Sequence, residues 1–304
     1  MLHLNIQNET SRLRSVVLGT AFHNGPIPTI EECYDPKSKI HVIAGTYPKE
    51  QDMISEMESV VKVFEKYDIE VFRPEVIENY NQIFSRDIGF VIEDKFITAN
   101  ILPERDQEIT AIHHVLSQIP KENRISLPEE CHVEGGDVMP WNDYIFIGTY
   151  SGKEYSEYIT ARTNSNAVKA IQELFPNKIV KSFELRKSNE NAKENALHLD
   201  CCFQPIGKNM AILHKNGFLI EEEFEWLVNY FGKENVFEIS KDEMYQMNSN
   251  VFSISEDVVV SEQNFTRLNL WLEAQGFTVE KVPYQEIAKQ EGLLRCSTLP
   301  LVRD

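Results

Sequence analysis

The sequence predicts a mixed α/β chain closed into a ring of five strand-strand-helix-strand units, a five-bladed α/β propeller. Three observations point there. A hairpin signature recurs, with β-branched or aromatic runs flanking a short polar turn. Each is followed by apolar residues at helical spacing and then by a short closing strand. The C-terminal run 296–303 is strand-like but has no hairpin of its own, so its natural role is to complete the first unit and close the ring.

The units follow in order. The first has a strand at 15–19, a strongly amphipathic helix at 51–67 and a closing strand at 69–72. The second pairs strands around a Glu93-Asp94 turn, then places Ile109, Ile112, Val115, Leu116 and Ile119 on one face of a helix at 105–119 before a strand at 124–127. The third turns at Asn142-Asp143, with a helix at 164–175 and a strand at 178–180. The fourth turns at Gly207-Lys208-Asn209, with a helix at 221–231 and a strand at 235–239. The fifth turns at Glu256-Asp257; its helix, 264–276, ends on a glycine suited to a helix C-terminus, and its strand is 277–282. First strands thus begin near 14, 88, 137, 198 and 250. Two segments read as lids: 22–49, rich in Pro, Gly and Tyr, and the strongly polar 186–196. The ring makes residues 1–304 a single domain rather than two.

Composition narrows the function. Hydrophobic residues make up 42% and charged residues 26%, ordinary globular usage. The net charge of −18, with no basic cluster, argues against nucleic acid and anionic membranes as partners and suits a small cationic ligand. No apolar run is long enough to span a bilayer and no basic-then-apolar leader opens the chain, so a cytoplasmic protein is expected. Five cysteines without a C-x-x-C fit reduced thiols rather than a disulfide framework. Homo-oligomerisation is left open.

In a ring, equivalent positions of successive units face one axis. At the entry to the first strands stand Asp87, the run Glu134–Asp137, His198 with Asp200 and Asn250, and Cys296 starts the closing strand. Their convergence gives a thiol, an imidazole and several carboxylates in one place. Cys with His is a nucleophile–base pair. Carboxylates beside a thiol raise its pKa, which makes sense if the substrate is cationic and planar. Paired carboxylates then accept the forked hydrogen bonds of a guanidinium, whose charge in turn favours thiolate.

The motifs Ser85-Arg86-Asp87, Glu134-Gly135-Gly136-Asp137 and His198-Leu199-Asp200, followed by a Cys near the C-terminus, resemble the guanidine-modifying superfamily over essentially the whole chain. It includes arginine deiminase, glycine amidinotransferase, agmatine deiminase and dimethylarginine dimethylaminohydrolase, and has the five-bladed α/β propeller, or pentein, fold. The resemblance implies these roles: Cys296 attacks the guanidinium carbon. His198 protonates the departing amine and then activates the resolving water or amine. Glu134 orients His198. Asp87 and Asp200 hold guanidinium nitrogens, Arg162 binds a substrate carboxylate, and Asn81 meets the amino-acid end. No metal or cofactor is implied. The implied reaction is arginine-deiminase-type hydrolysis of arginine or a close analogue to a ureido product and ammonia through a covalent thiouronium. The alternative is amidinotransfer to an amine, and double hydrolysis to ornithine is a third outcome.

The chain also departs from these relatives. Deiminases and the amidinotransferase usually carry Gly-Gly-Gly-x-His-Cys before the nucleophile. The run Glu291-Gly-Leu-Leu-Arg-Cys296 is closer to dimethylarginine hydrolases, which typically lack an acid at the place of Asp200. That mixture favours an unmethylated guanidine, because Asp200 would otherwise face methyl groups. Blander readings stand beside these. Cys296 could be an inert buried thiol, Arg162 a surface ion-pair residue, and Gly135-Gly136 only a tight turn. In an alternating strand Cys202 would share a face with His198 and Asp200, a set that could ligate metal but has no partner cluster.

Overall fold

The computed structural model describes residues 1–304. Its strands form five three-stranded sheets, the blades of the propeller. Blade one holds β1 (Leu13–Leu18) and β2 (Glu70–Phe72). Blade two holds β3 (Gly89–Ile92), β4 (Lys95–Thr98) and β5 (Arg124–Ser126). Blade three holds β6 (Val138–Trp141), β7 (Tyr144–Thr149) and β8 (Ile179–Glu184). Blade four holds β9 (Phe203–Ile206), β10 (Met210–Leu213) and β11 (Val236–Glu238). Blade five holds β12 (Phe252–Ser255), β13 (Val258–Glu262) and β14 (Thr278–Val282). The last strand, β15 (Thr298–Arg303), pairs antiparallel with β1 and completes blade one. β1 is therefore the second strand of its blade, not the first as its place in the chain suggested. In every blade the first two strands are antiparallel and the last two parallel. The parallel step needs a crossover, and the helical segment of each unit supplies it.

The first strand of each blade is an edge strand, and these edges gather around the axis. Three of them carry a proline: Pro140 in β6, Pro205 in β9 and Pro300 in β15. Proline has no N–H to donate, so it is tolerated at an edge and blunts pairing there. The crossover helices lie outside, burying one face each. In Glu50–Lys66 the buried positions include Met53, Met57, Val60 and Phe64. Ser165–Leu174 starts on Asn164, whose side chain accepts from the Ala167 N–H at 3.1 Å, a regular N-cap. The helix at Glu221–Phe231 lies where the sequence predicts it, and Thr266–Ala274 is shorter than expected by a residue or two at each end.

The second unit differs from expectation. Pro103–Ile112 is a 3-10 helix, and only His113–Leu116 is α-helical. Side chains three apart eclipse in a 3-10 helix. Arg105 and Glu108 are thereby stacked, Nε to Oε1 at 2.6 Å, and both are buried. Arg105 reaches from this segment to Asp87 at 2.8 Å. Residues 198–202 are not an alternating strand either. Leu199–Cys201 is a single 3-10 turn, which removes the shared face proposed for Cys202.

The N-terminal segment straps the end of the ring opposite the strand starts. Asn5 bridges to Val302, Ile6 to Glu93 and Asn8 to Trp141, touching three blades in succession. This places Glu9 inside the ring, 4% exposed.

Candidate active site

The residues ahead of the first strands meet on the axis, and all are buried. Cys296 Sγ lies 3.2 Å from Asn250 Nδ2 and 3.5 Å from Asp200 Oδ2. Asn250 Oδ1 also accepts the Cys296 N–H at 3.1 Å, so one amide fixes both ends of the nucleophile. His198 Nε2 is 2.7 Å from Glu134 Oε2, and His198 Nδ1 is 3.8 Å from Asp87 Oδ1. Those last two atoms, His198 Nδ1 and Asp87 Oδ1, are buried and make no hydrogen bond. The unpartnered Asp87 oxygen marks where a ligand N–H group belongs, and His198 Nδ1, a donor in the imidazolium, faces the same space.

The glycines of Glu134-Gly-Gly-Asp137 serve close approach. A Cβ on Gly136 would stand 2.7 Å from the His198 ring, and one on Gly135 would stand 2.1 Å from the Arg86 carbonyl oxygen. Only glycine lets Glu134 and the imidazole meet. Asp137 does not face the ligand space. It accepts from Thr163 Oγ1 at 2.6 Å and from the Leu199 N–H at 2.8 Å, tying the third and fourth blades together.

Each acid of the site is backed by a buried arginine. Arg105 Nη1 donates to Asp87 Oδ2 at 2.8 Å while its other face is held by Glu108. Arg162 Nη1 donates to Glu134 at 2.9 and 3.2 Å. Arg295 Nη1 donates to Asp200 Oδ2 at 2.9 Å. Arg162 is therefore neither a surface ion-pair residue nor free to grip a carboxylate in this arrangement. Its Nε binds the Ile159 carbonyl and its Nη2 the carbonyl of Tyr34, in the first lid. Asn81 lies outside the cluster. It donates to Gln290 Oε1 at 2.8 Å and lines a pocket of roughly 210 Å³ beneath the lid, with Asn24, Tyr34, Tyr47 and Phe84 among its neighbours.

Charge follows this geometry. Burial raises the Cys296 thiol pKa well above the ordinary value, and Asp200 and Asp87 push it further up, so the resting thiol is protonated. Burial alone would lower the His198 pKa, but Asp87, Glu134 and Asp137 outweigh it and carry it up to about 9. Glu134 is held below the usual carboxylate range, the cost of burial being outweighed by Arg162 and His198. The ligand-capable atoms of Asp87, Glu134 and His198 lie within 4.8 Å of one another. Each acid of that set already faces an arginine, so a divalent cation would meet a field these side chains have largely cancelled.

Sequence reasoning missed Arg105, Arg295 and Glu9. The spacing Arg105-x-x-Glu108 was a usable signal. Arg295 stands beside the nucleophile, but nothing in the sequence assigns its partner. Cys201 and Cys202 are buried free thiols, and both have raised pKa values through burial. Cys202 Sγ points at the Leu199 carbonyl oxygen, 3.5 Å away.

A five-bladed pentein ring with a buried Cys, His and arginine-backed acids on its axis defines a member of the guanidine-modifying superfamily. The family described as N,N dimethylarginine dimethylhydrolase, eukaryotic, matches residues 47–303, and the chain belongs to it. The uncharacterized protein YkgA of Bacillus subtilis (strain 168) is 27% identical over 247 residues, covering 80% of this chain and 78% of that protein. Solved structures share the fold. The N-terminal domain of ArgZ, a cyanobacterial arginine dihydrolase bound to its substrate, superposes with a TM-score of 0.77 at 14% identity, over 95% of this chain and 98% of that one. The inosamine-phosphate amidinotransferase StrB1 of Streptomyces griseus gives 0.76 at 14% identity, over 100% and 97%. The chain is an enzyme of the hydrolase or amidinotransferase kind acting on guanidino groups.

Proposed function

We propose that the protein hydrolyses an unmethylated guanidine of the arginine type, releasing ammonia and a ureido product. The observation that carries this reading is a nucleophile flanked by two carboxylates, with Asp87 Oδ1 unpartnered and Asp200 Oδ1 met by the Cys201 thiol at 3.8 Å. Asp87 and Asp200 each give one oxygen to an arginine, and between them lie the Cys296 thiol and the unpartnered His198 Nδ1.

A planar guanidinium placed there donates its N–H groups to Asp87 and Asp200. Its positive charge offsets the two carboxylates that hold the thiol protonated, so on substrate binding the thiol proton is released to solvent, His198 already being protonated, and thiolate forms. Cys296 sulfur bonds to the guanidinium carbon. The carbon–nitrogen bond to the terminal amine breaks, and His198 donates the proton that lets ammonia leave. The imidazole, now neutral, takes a proton from water as the oxygen bonds to the thiouronium carbon. The carbon–sulfur bond then breaks, restoring the thiol and leaving the ureido product. Asn81 and the lid pocket receive the amino-acid end. A substrate carboxylate reaches Arg162 when lid motion withdraws the Tyr34 carbonyl.

The test is incubation with arginine, agmatine and methylated arginines, with and without glycine or lysine, reading ammonia, citrulline and ornithine. Citrulline with ammonia is expected from arginine. Release of methylamines from methylated arginines, or transfer to the added amine, would replace this reading. No turnover of any guanidine would sink it.

A further inference from the structure

We propose that Arg295, braced by Glu9 of the N-terminal strap, is a positioning residue that aims Asp200 at the ligand space; this rests on the reading that Asp200 faces a guanidinium. All five N–H donors of Arg295 have acceptors. Nε and Nη2 donate to the two oxygens of Glu9, both at 3.1 Å. Nη2 also donates to the Val138 carbonyl at 2.8 Å, and Nη1 to the Gly136 carbonyl at 3.2 Å and to Asp200 Oδ2 at 2.9 Å. The arginine side chain has 0% exposure.

The same Asp200 oxygen is the one 3.5 Å from Cys296 Sγ. Arg295 therefore fixes where this carboxylate stands relative to the thiol of the next residue. It does more than neutralise. By holding Gly136 it also sets the turn that packs against the His198 ring. A planar five-donor fork can satisfy a carboxylate on one edge, two carbonyls and a second carboxylate on the other. A lysine has three donors around a single nitrogen and cannot span that arrangement. Glu9 makes the device possible. Burial raises its pKa, but Arg295 and Arg86 pull it below the ordinary value, so it remains a charged brace inside the ring. It arrives from the far end of the chain, on a strap held by bridges to Val302, Glu93 and Trp141.

The experiment uses Arg295→Lys, the milder Glu9→Gln, and each combined with Asp200→Asn. Crystal structures of the single variants should show Asp200 turned away from its place beside Cys296. KM for the guanidine should rise about tenfold, the scale of one lost charge-assisted hydrogen bond, with a smaller change in kcat. Because both residues act through Asp200, neither should raise KM further in the Asp200→Asn background. An Asp200 that keeps its position in both single-variant structures overturns the proposal whatever the substrate. So do KM effects that add to those of Asp200→Asn. If the wild type turns over no guanidine while Asp200 is displaced in the variants, the functional reading fails and the positioning role stands.

Discussion

The two carboxylates facing the ligand space are built alike and braced differently. Asp200 leans on Arg295, and Arg295 on Glu9, all in the closed interior of the ring. Asp87 leans on Arg105, and Arg105 on Glu108, on a 3-10 segment beneath the first lid. The Tyr34 ring of that lid lies about 6 Å from both the Arg105 and the Arg162 guanidinium groups. One arm is thus set by strands and the strap, the other by elements that a lid covers. Every site residue is buried, and on the Asp87 side the covering elements are a 3-10 segment and a lid loop rather than β-sheet.

The largest expected effect leaves both arms untouched. Cys296→Ala should abolish turnover, by about a thousandfold or more, in a protein that stays folded and still binds guanidine. Mass spectrometry of wild type quenched during turnover should show added mass on the Cys296 peptide. Mass on Cys201 or Cys202 would identify another nucleophile.

Next come the arms themselves. Asp87→Asn and Asp200→Asn should each weaken guanidine binding about ten- to a hundredfold. Both acids raise the thiol pKa, so both variants should react faster with iodoacetamide at neutral pH when no substrate is bound. Stability should separate them. Each arginine keeps a bidentate glutamate, but Arg295 shares Glu9 with the buried Arg86 and Arg303, so Asp200→Asn should lower Tm more than Asp87→Asn, whose Arg105 keeps Glu108. Equal losses of Tm would show that the lid-side arm is as rigid as the interior one.

A smaller effect tests the group between the arms. His198 titrates at about 9 in the folded protein, above its ordinary value of about 6.5. Its stabilising contribution is complete below about 6.5 and is lost as pH rises through 9. Activity that needs the imidazolium should fall over the same upper range. NMR titration of the His198 ring checks the midpoint directly, and a midpoint near 6.5 would show that Asp87 and Glu134 do not set its charge.

The mildest prediction concerns the lids. Glu291 accepts from Asn195 Nδ2 at 2.6 Å and from the Lys37 N–H at 3.4 Å, so both predicted lid segments meet on the run that precedes Cys296. Burial raises the Glu291 pKa well above its ordinary value, with Asp35 adding to it, which favours the neutral form. Glu291→Gln should therefore change little. Glu291→Ala should increase tryptic cleavage at Lys39 and Lys193 a few-fold, and unchanged cleavage would mean that the lids are held elsewhere.

The repeating unit, the order of its elements and the polar residues ahead of each first strand were all written locally. Hairpin turns, helical spacing and strand alternation are properties of neighbours in sequence, so they can be read without the fold. Fivefold repetition then implied that Asp87, Glu134, His198, Asp200 and Cys296 would share an axis, and the structure brings them together. Where local preference met a tertiary demand, the sequence misled. Residues 103–112 carry a helical pattern but wind as 3-10, with Arg105 bound to Glu108 and across to Asp87. β1 reads as a first strand but takes second place, because β15 arrives from the other end of the chain. The bracing of the acids was decided by tertiary structure alone. Glu9 and Arg295 are 286 residues apart, and Arg295 and Asp200 are 95 apart. Which buried charges pair depends on which chain segments share the low-dielectric interior, and no spacing in the sequence encodes that.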